Sequence, residues 1–219
     1  MVGFDVRIVF RHLPLLFRGA WTTLTVSCLG LLLATGISLP VALARLSRVS
    51  ALRALSFLYV DMVRGTPLLV QIFSIFYVLP SLGLELTAFQ SAVLALGFNS
   101  GGYQAEILRG GIQAVPRGQV ESARSLGMTY LQCLRRIVLP QVALNVMPSL
   151  TNEISNVIKG SSLVSVLAVI ELTRTGQQIV SSILRPVEIY VSVALVYLGM
   201  HLILSHGSYR VERYFAARR

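Results

Sequence analysis

Residues 21–44 read WTTLTVSCLGLLLATGISLPVALA, twenty-four consecutive positions without one charged side chain. About 20 apolar residues of helix span the roughly 30 Å hydrocarbon core of a bilayer, so this stretch predicts a membrane crossing. Trp21 stands at its start, where an interfacial aromatic anchor sits. Gly30, Ala34, Ser38 and Ala42 recur every four residues along it. Such a stripe of small side chains lets a second helix approach closely, within the chain or across a subunit contact. The rest of the chain agrees: 54% of its 219 residues are hydrophobic, only 13% are charged, and the mean hydropathy is +0.72. These values predict an all-α integral membrane protein forming one transmembrane domain over 1–219.

Upstream, residues 4–18 interleave Asp5, Arg7, Arg11 and Arg18 with Phe4, Ile8, Val9, Leu15 and Phe17. That pattern predicts an interfacial helix within an N-terminal segment, residues 1–20. No short apolar run with a small-residue cleavage site opens the chain, so the first crossing is expected to be retained.

Downstream, Arg45, Arg48 and Arg53 mark the cytoplasmic end of the crossing and place the N-terminus outside. The apolar stretch Ala54 to Pro80 is broken by Asp61, Arg64, Gly65 and Pro67. Proline suits a first helical turn, which predicts a new helix near Thr66, with Thr66 as cap and residues 51–63 at the cytoplasmic interface. Arg64 reads most simply as a cytoplasmic anchor, with a role in a transport path as the alternative. Residues 80–85 make an external loop, and Ala88 to Leu108 form a third crossing of unusual polarity.

Gly97, Gly101 and Ala105 give that third crossing a close-packing face, while Asn99, Ser100, Tyr103, Gln104 and Glu106 supply hydrogen-bonding groups. Polar groups at membrane depth pair with one another or face water, so this helix is expected to line the bundle interior. A fourth apolar segment, about 142–157, carries Asn145, Pro148, Asn152 and Glu153. After Lys159-Gly160-Ser161-Ser162 and Leu163 to Ile170, the last crossing runs from Ile189 to Leu204. A basic cytoplasmic tail covers residues 206–219. The expected total is five crossings, with the C-terminus cytoplasmic.

The net charge of +10 rests on eighteen arginines and one lysine, Lys159, against nine acids. Twelve arginines fall in the segments placed inside and five in those placed outside, the bias of membrane topology rather than of a nucleic-acid surface. Cys28 and Cys133 suggest neither a disulfide nor a metal framework. His12, His201 and His206 have no ligand-like companions, and no paired catalytic carboxylates or nucleophile motif occur. Lys159 is followed by Gly160, so a G-x4-G-K-[ST] phosphate loop is excluded and the chain is not expected to be an enzyme.

Between the third and fourth crossings, residues 109–140 form an amphipathic block. Pro116 can open a helix, Gly127 suits the left-handed conformation that closes one, and Thr129 can cap a second. In the second helix Leu131, Leu134, Ile137 and Val138 share a face, and Pro140 introduces the next crossing. By itself this could be a solvated loop. The spacing of Glu121, Ser122, Ala123, Gly127, Ile137, Leu139 and Pro140, however, resembles the EAA-type coupling loop of ABC-importer permease subunits, with Ser122 where alanine is usual.

Arg64-Gly65-Thr66-Pro67-Leu68-Leu69-Val70-Gln71, Asn99-Ser100-Gly101-Gly102-Tyr103, Ala105-Glu106-Ile107, Ser162-Leu163-Val164-Ser165-Val166 and Glu171-Leu172-Thr173-Arg174 extend the likeness over nearly the whole chain. They are similar to the polar amino-acid (histidine/glutamine-type) permease family, the transmembrane part of type I importers.

The resemblance implies a cell inner-membrane permease that carries no cofactor itself. ATP and Mg would be bound by a separate cytoplasmic ATPase dimer. A second permease chain, identical or homologous, an extracytoplasmic solute-binding protein and an amino-acid substrate complete the implied assembly. Pro116, Glu121, Ser122, Ala123, Gly127, Ile137, Leu139 and Pro140 would couple to the ATPase. Glu153, an acid inside an apolar crossing, is a candidate for the substrate path with Asn152, Asn99 and Lys159, or else pairs internally with Lys159. Family members commonly have aspartate where Gly160 stands, which removes the obvious partner of Lys159. A secondary transporter or channel subunit is the rival class, since polar membrane helices alone fit it too.

Overall fold

The computed structural model describes residues 4–216, and its regular elements are all helical. Residues 1–3 and 217–219, the outer ends of the expected N-terminal segment and basic tail, lie outside that range. The first helix, α1, runs from Val6 to Leu46. Its 41 residues correspond to about 61 Å of helix. The helix expected over 4–18 therefore continues into the first crossing without a break. Asp5 starts it by accepting the Arg7 amide at 2.9 Å. Leu16, Gly19 and Ala20 are already buried, so the inner face of this segment belongs to the bundle.

Helix α2, Ser50–Gly65, is followed after a 110° bend by Leu68–Ser81. The second arm comprises α3, Leu68–Phe73, a π-helical turn over Ser74–Val78, and α4, Leu79–Ser81. Thr66 is not the cap of the new helix. Pro67 holds that position, and the Thr66 hydroxyl donates backward to the Met62 carbonyl at 2.8 Å. The cause is local: a threonine at the end of a helix finds an orphan carbonyl four residues behind it.

Helix α5, Ala88–Gln113, opens with a capping box in which Thr87 and Gln90 satisfy each other's backbone amides. It is the polar helix, and its polarity is turned inward: Ser91, Ser100 and Gln104 are buried. The small-residue stripe of α1 packs on it within the chain. A Cβ added to Gly30 would lie 3.0 Å from Leu96 Cβ, and one added to Gly97 would lie 2.9 Å from Leu33 Cβ. Glycines on both helices thus let two backbones close on one another. Val26, Ile72, Ala92, Ala95, Leu96, Val157 and Val164 form the central core around this contact.

Helix α6, Arg117–Ser125, is the first limb of the amphipathic block, and α7, Tyr130–Cys133, begins the second. A π-helical turn over Leu134–Val138 carries the chain into α8, Leu139–Gly160, so Pro140 enters a continuing helix rather than starting a separate one. A 3-10 turn over Ser161–Leu167 and the left-handed Ala168 end this run. Then comes a helix not expected from the sequence, α9, Leu172–Ile183. It packs by Leu172 and Ile179 against Leu16, Ala20, Ile189 and Val193. The last helix, α10, spans Pro186–Ala216.

Val6–Leu46 and Pro186–Ser208 are each long and apolar enough to cross a membrane, and the number among the described residues rises to as many as four if each of two bent pairs is one span.

Candidate translocation path and docking block

One side chain braces the bend between α2 and α3. Gln71 Nε2 donates to the Val63 carbonyl at 2.9 Å, the Thr66 carbonyl at 3.1 Å and the Thr66 hydroxyl at 2.9 Å. Its carbonyl oxygen accepts from Asn99 Nδ2 on α5 at 3.0 Å. The amide thereby satisfies the carbonyls that a helix ending at Gly65 leaves open, and it orients Asn99. Asn99, Tyr103, Glu153 and Asn156 then converge on a cavity of about 230 Å³ whose apolar wall includes Leu68 and Leu96.

Glu153 is 7% exposed. Its Oε1 accepts from the Ser100 hydroxyl at 2.7 Å, Gln104 Nε2 donates to that hydroxyl at 3.2 Å, and Thr35 donates to Gln104 Oε1 at 3.3 Å. This chain links α1, α5 and α8 through hydrogen bonds. Hydrogen-bonded networks of this kind hold a polar group at membrane depth in one orientation.

Of the four path residues named from sequence, Glu153 and Asn99 line the cavity. Asn152 and Lys159 are exposed and lie outside its lining. Lys159 forms no ion pair among the described residues. Six helical positions separate it from Glu153, about 240° around the axis, so the two point apart. Asn156, three positions after Glu153 and on its face, was the missed neighbour; that spacing was the available signal.

At one end of the bundle Glu106 joins two helices. Its carboxylate meets Arg45 Nε at 3.0 Å and takes a two-pronged contact from Arg109, Nε at 3.0 Å and Nη2 at 2.8 Å. The hydrogen bond to Glu106 holds the Arg109 guanidinium above its ordinary range. Near the opposite end of α1, Glu171 is fully buried and caps α9, accepting from the Thr173 amide at 2.8 Å and the Arg174 amide at 2.7 Å. Thr23 and Tyr197 donate to its Oε2 at 3.4 and 3.0 Å, tying α1, α9 and α10 together.

In the amphipathic block Gly127 has φ +77°. The Gly127 amide donates to the Arg124 carbonyl at 2.9 Å and the Met128 amide to the Ala123 carbonyl at 3.1 Å. This pair of bonds defines a Schellman closure, which favours glycine at that position. Thr129 and Gln132 form the next capping box. Gln141 donates to Gln119, stapling α6 to the root of α8. Pro116, Glu121, Ser122, Gly127, Leu139 and Pro140 are exposed, Ile137 is half-buried, and Ala123 is turned inward. Leu126 and Tyr130 stand out at 84% and 70% exposure.

The fold and this site define a multi-pass helical membrane protein with a polar interior and a projecting amphipathic block. Residues 27–219 match the binding-protein-dependent transport system inner membrane component family, and the chain belongs to it. It is a permease subunit of an ATP-binding-cassette importer, a transport component rather than an enzyme, whose ATPase is a separate subunit.

The chain is 38% identical to the nopaline transport system permease protein NocM of Agrobacterium fabrum over 212 residues, covering 92% of this chain and 88% of that protein. It is 35% identical to the glutamine transport system permease protein GlnP of Escherichia coli K12, covering 96% and 97%. A solved amino acid ABC transporter with histidines superposes with a TM-score of 0.89 at 37% identity, covering 98% of this chain and 99% of that one. The MetNI methionine ABC transporter, at 20% identity, shares the fold with a TM-score of 0.78, covering 94% and 98%.

Proposed function

We propose that this chain, as a single transmembrane domain, lines the path of a polar amino acid through the inner membrane. It does so with five crossings, N-terminus outside and C-terminus cytoplasmic. A second permease chain, identical or homologous, faces it across the path. An extracytoplasmic binding protein delivers the amino acid, and a cytoplasmic ATPase dimer holding ATP and Mg drives the cycle. The names of its relatives support an amino-acid substrate. Asn152, Asn156 and Lys159 are exposed on a helix that also bears Glu153. Polar groups at that depth call for a watery path rather than lipid on this side, which supports the second permease.

The observation that carries the reading is mechanical: one helical run, Tyr130–Leu167, joins the docking block to Glu153. Pro116, Glu121, Ser122, Ala123, Gly127, Ile137, Leu139 and Pro140 build the ATPase contact, with Ala123 and Ile137 shaping it from beneath. Exposed Leu126 and Tyr130 add apolar area that a partner groove covers. Movement of the block is transmitted along α8 to the carboxylate that meets the substrate's ammonium. Asn99 supplies a neutral hydrogen bond, and Lys159 and Asn152 face the path beyond the cavity.

The test is purification of the tagged chain from its native membranes in mild detergent, with identification of co-migrating proteins. A partner bearing a phosphate-loop motif, released by Gly127→Asp, is the expected result. A stable, transport-competent complex containing only this chain would make it a secondary transporter or channel instead.

A further inference from the structure

A second cavity of about 480 Å³ opens between α1, α2 and α5, lined by Arg45, Phe57, Asp61, Arg64 and Tyr103 among others. Tyr103 lines both this cavity and the one holding Glu153, so a single ring forms a shared wall. The two arginines differ. Arg45 is committed to Glu106 at 3.0 Å and lies 5.0 Å over the Phe57 ring. Arg64 forms no ion pair among the described residues, and its guanidinium lies 5.9 Å over the Tyr103 ring. Asp61 forms none either. Asp61 and Arg64 stand three positions apart on α2, so their side chains leave neighbouring points of one helix face.

We propose that this cavity is a second station on the path. There the zwitterionic head of the amino acid is held between Arg64, which takes the carboxylate, and Asp61, which takes the ammonium. The inference rests on the function proposed above and adds a site to it. An α-amino acid carries its two charges on one carbon, and one helical turn presenting both opposite charges is complementary to that short dipole. Guanidinium suits the carboxylate because its planar fork offers two parallel donors.

The rings of Phe57 and Tyr103 give the substrate's side chain an apolar surface, and the Glu106 pair keeps Arg45 from competing for the carboxylate. Tyr103 is 37% exposed between the two chambers, and it separates the Glu153 station from this one. In the orientation proposed above the second station is the cytoplasmic one, reached last. The motif Arg64-Gly65-Thr66-Pro67 then has two tasks: its threonine and proline turn the chain, and its arginine receives the cargo.

The experiment uses the complete complex in proteoliposomes, with binding protein inside the assay and a radiolabelled mixture of the common amino acids as probe. Arg64→Cys is compared before and after modification with a thiosulfonate that adds an ammonium and one that adds a sulfonate. The parent is treated identically because Cys28 is exposed. ATP-driven uptake is expected to fall at least tenfold in Arg64→Cys, to recover severalfold with the cationic reagent, and to stay low with the anionic one.

Arg64→Lys, which keeps a cation at the end of α2 but loses the two-donor fork, is expected to take up more than Arg64→Cys and less than the parent, and Asp61→Asn to lose as much as Arg64→Cys. Binding-protein-stimulated ATP hydrolysis should persist in every variant. Parent-like uptake by Arg64→Cys, or equal responses to the two reagents, overturns the second station while leaving the importer reading intact. Absence of ATP-driven uptake by the parent complex overturns both.

Discussion

Gln71 reaches back eight residues to the Val63 carbonyl, 2.9 Å away, and in doing so holds the 110° bend that separates α2 from α3. The same amide faces Asn99, so the shape of the bend and the lining of the Glu153 cavity depend on one side chain. Gln71→Leu keeps the bulk and removes the polar head, leaving the part-buried Val63 carbonyl and Asn99 amide without their partner. Each unsatisfied buried group costs about 1–3 kcal/mol. The expected result is a lower thermal midpoint in detergent and impaired uptake. A midpoint equal to the parent's would show that the bend is held by something else.

Gly97 receives Leu33 so closely that a Cβ would sit 2.6 Å from Leu33 Cδ2 and 2.9 Å from its Cβ. The nearer contact is the end of a side chain and can swing away; the farther one is fixed to the α1 backbone. Gly97→Ala therefore pushes α1 from α5, and overpacking of this kind costs about 1–3 kcal/mol. Leu33→Ala in the same chain should recover part of the loss. Additive losses in a double-mutant cycle on thermal midpoints would argue that the two positions do not meet.

Glu153 is buried where α1, α5 and α8 meet, bonded through Ser100 and Gln104 to Thr35. Glu153→Gln keeps the acceptor for Ser100 and the side-chain volume, so assembly and ATPase stimulation are expected to survive. Uptake should fall at least tenfold if the carboxylate meets the substrate's ammonium. Unchanged uptake and selectivity would assign Glu153 to structure alone.

Local chemistry explains what was legible from sequence. Gly127 and Thr129 have short-range signatures, a left-handed closure and a capping box, and both occur as read. The small-residue stripe on α1 likewise found its partner because spacing by four survives any tertiary arrangement. What was missed depends on distant contacts. Helix α9 buries Leu172, Thr175, Gly176 and Ile179, a helical period, but its twelve residues are too polar and short to stand out beside the crossings. Arg7, Arg11 and Arg18 suggested an interfacial helix; all three are exposed, and what the local pattern did not show is that this helix runs on into the first crossing with Leu16, Gly19 and Ala20 buried. Gln71 and Glu171 tie distant helices together through several bonds each, and nothing in their immediate neighbours announces it.

The two π-helical turns share a sequence: Val78-Leu79-Pro80 ends one and Val138-Leu139-Pro140 the other. Proline has no amide proton and its ring crowds the carbonyl four residues earlier; Pro14, Pro40 and Pro148 are carried within α-helix, whereas the chain before Pro80 and Pro140 takes a π-helical turn. A π-helical turn is one way to absorb the conflict, and such turns recur at functional sites. The second lies between α7, in the docking block, and the α8 face that carries Glu153. Pro140→Ala removes the cause of the wider turn and lets Leu134–Val138 close as ordinary α-helix. One residue of register is about 100° of rotation, so the block and Glu153 would no longer hold their present phase. ATP hydrolysis is then expected to continue while the uptake per ATP falls severalfold. The measurement is that ratio in proteoliposomes, and an unchanged ratio in Pro140→Ala would show that the π-turn accommodates proline without transmitting motion.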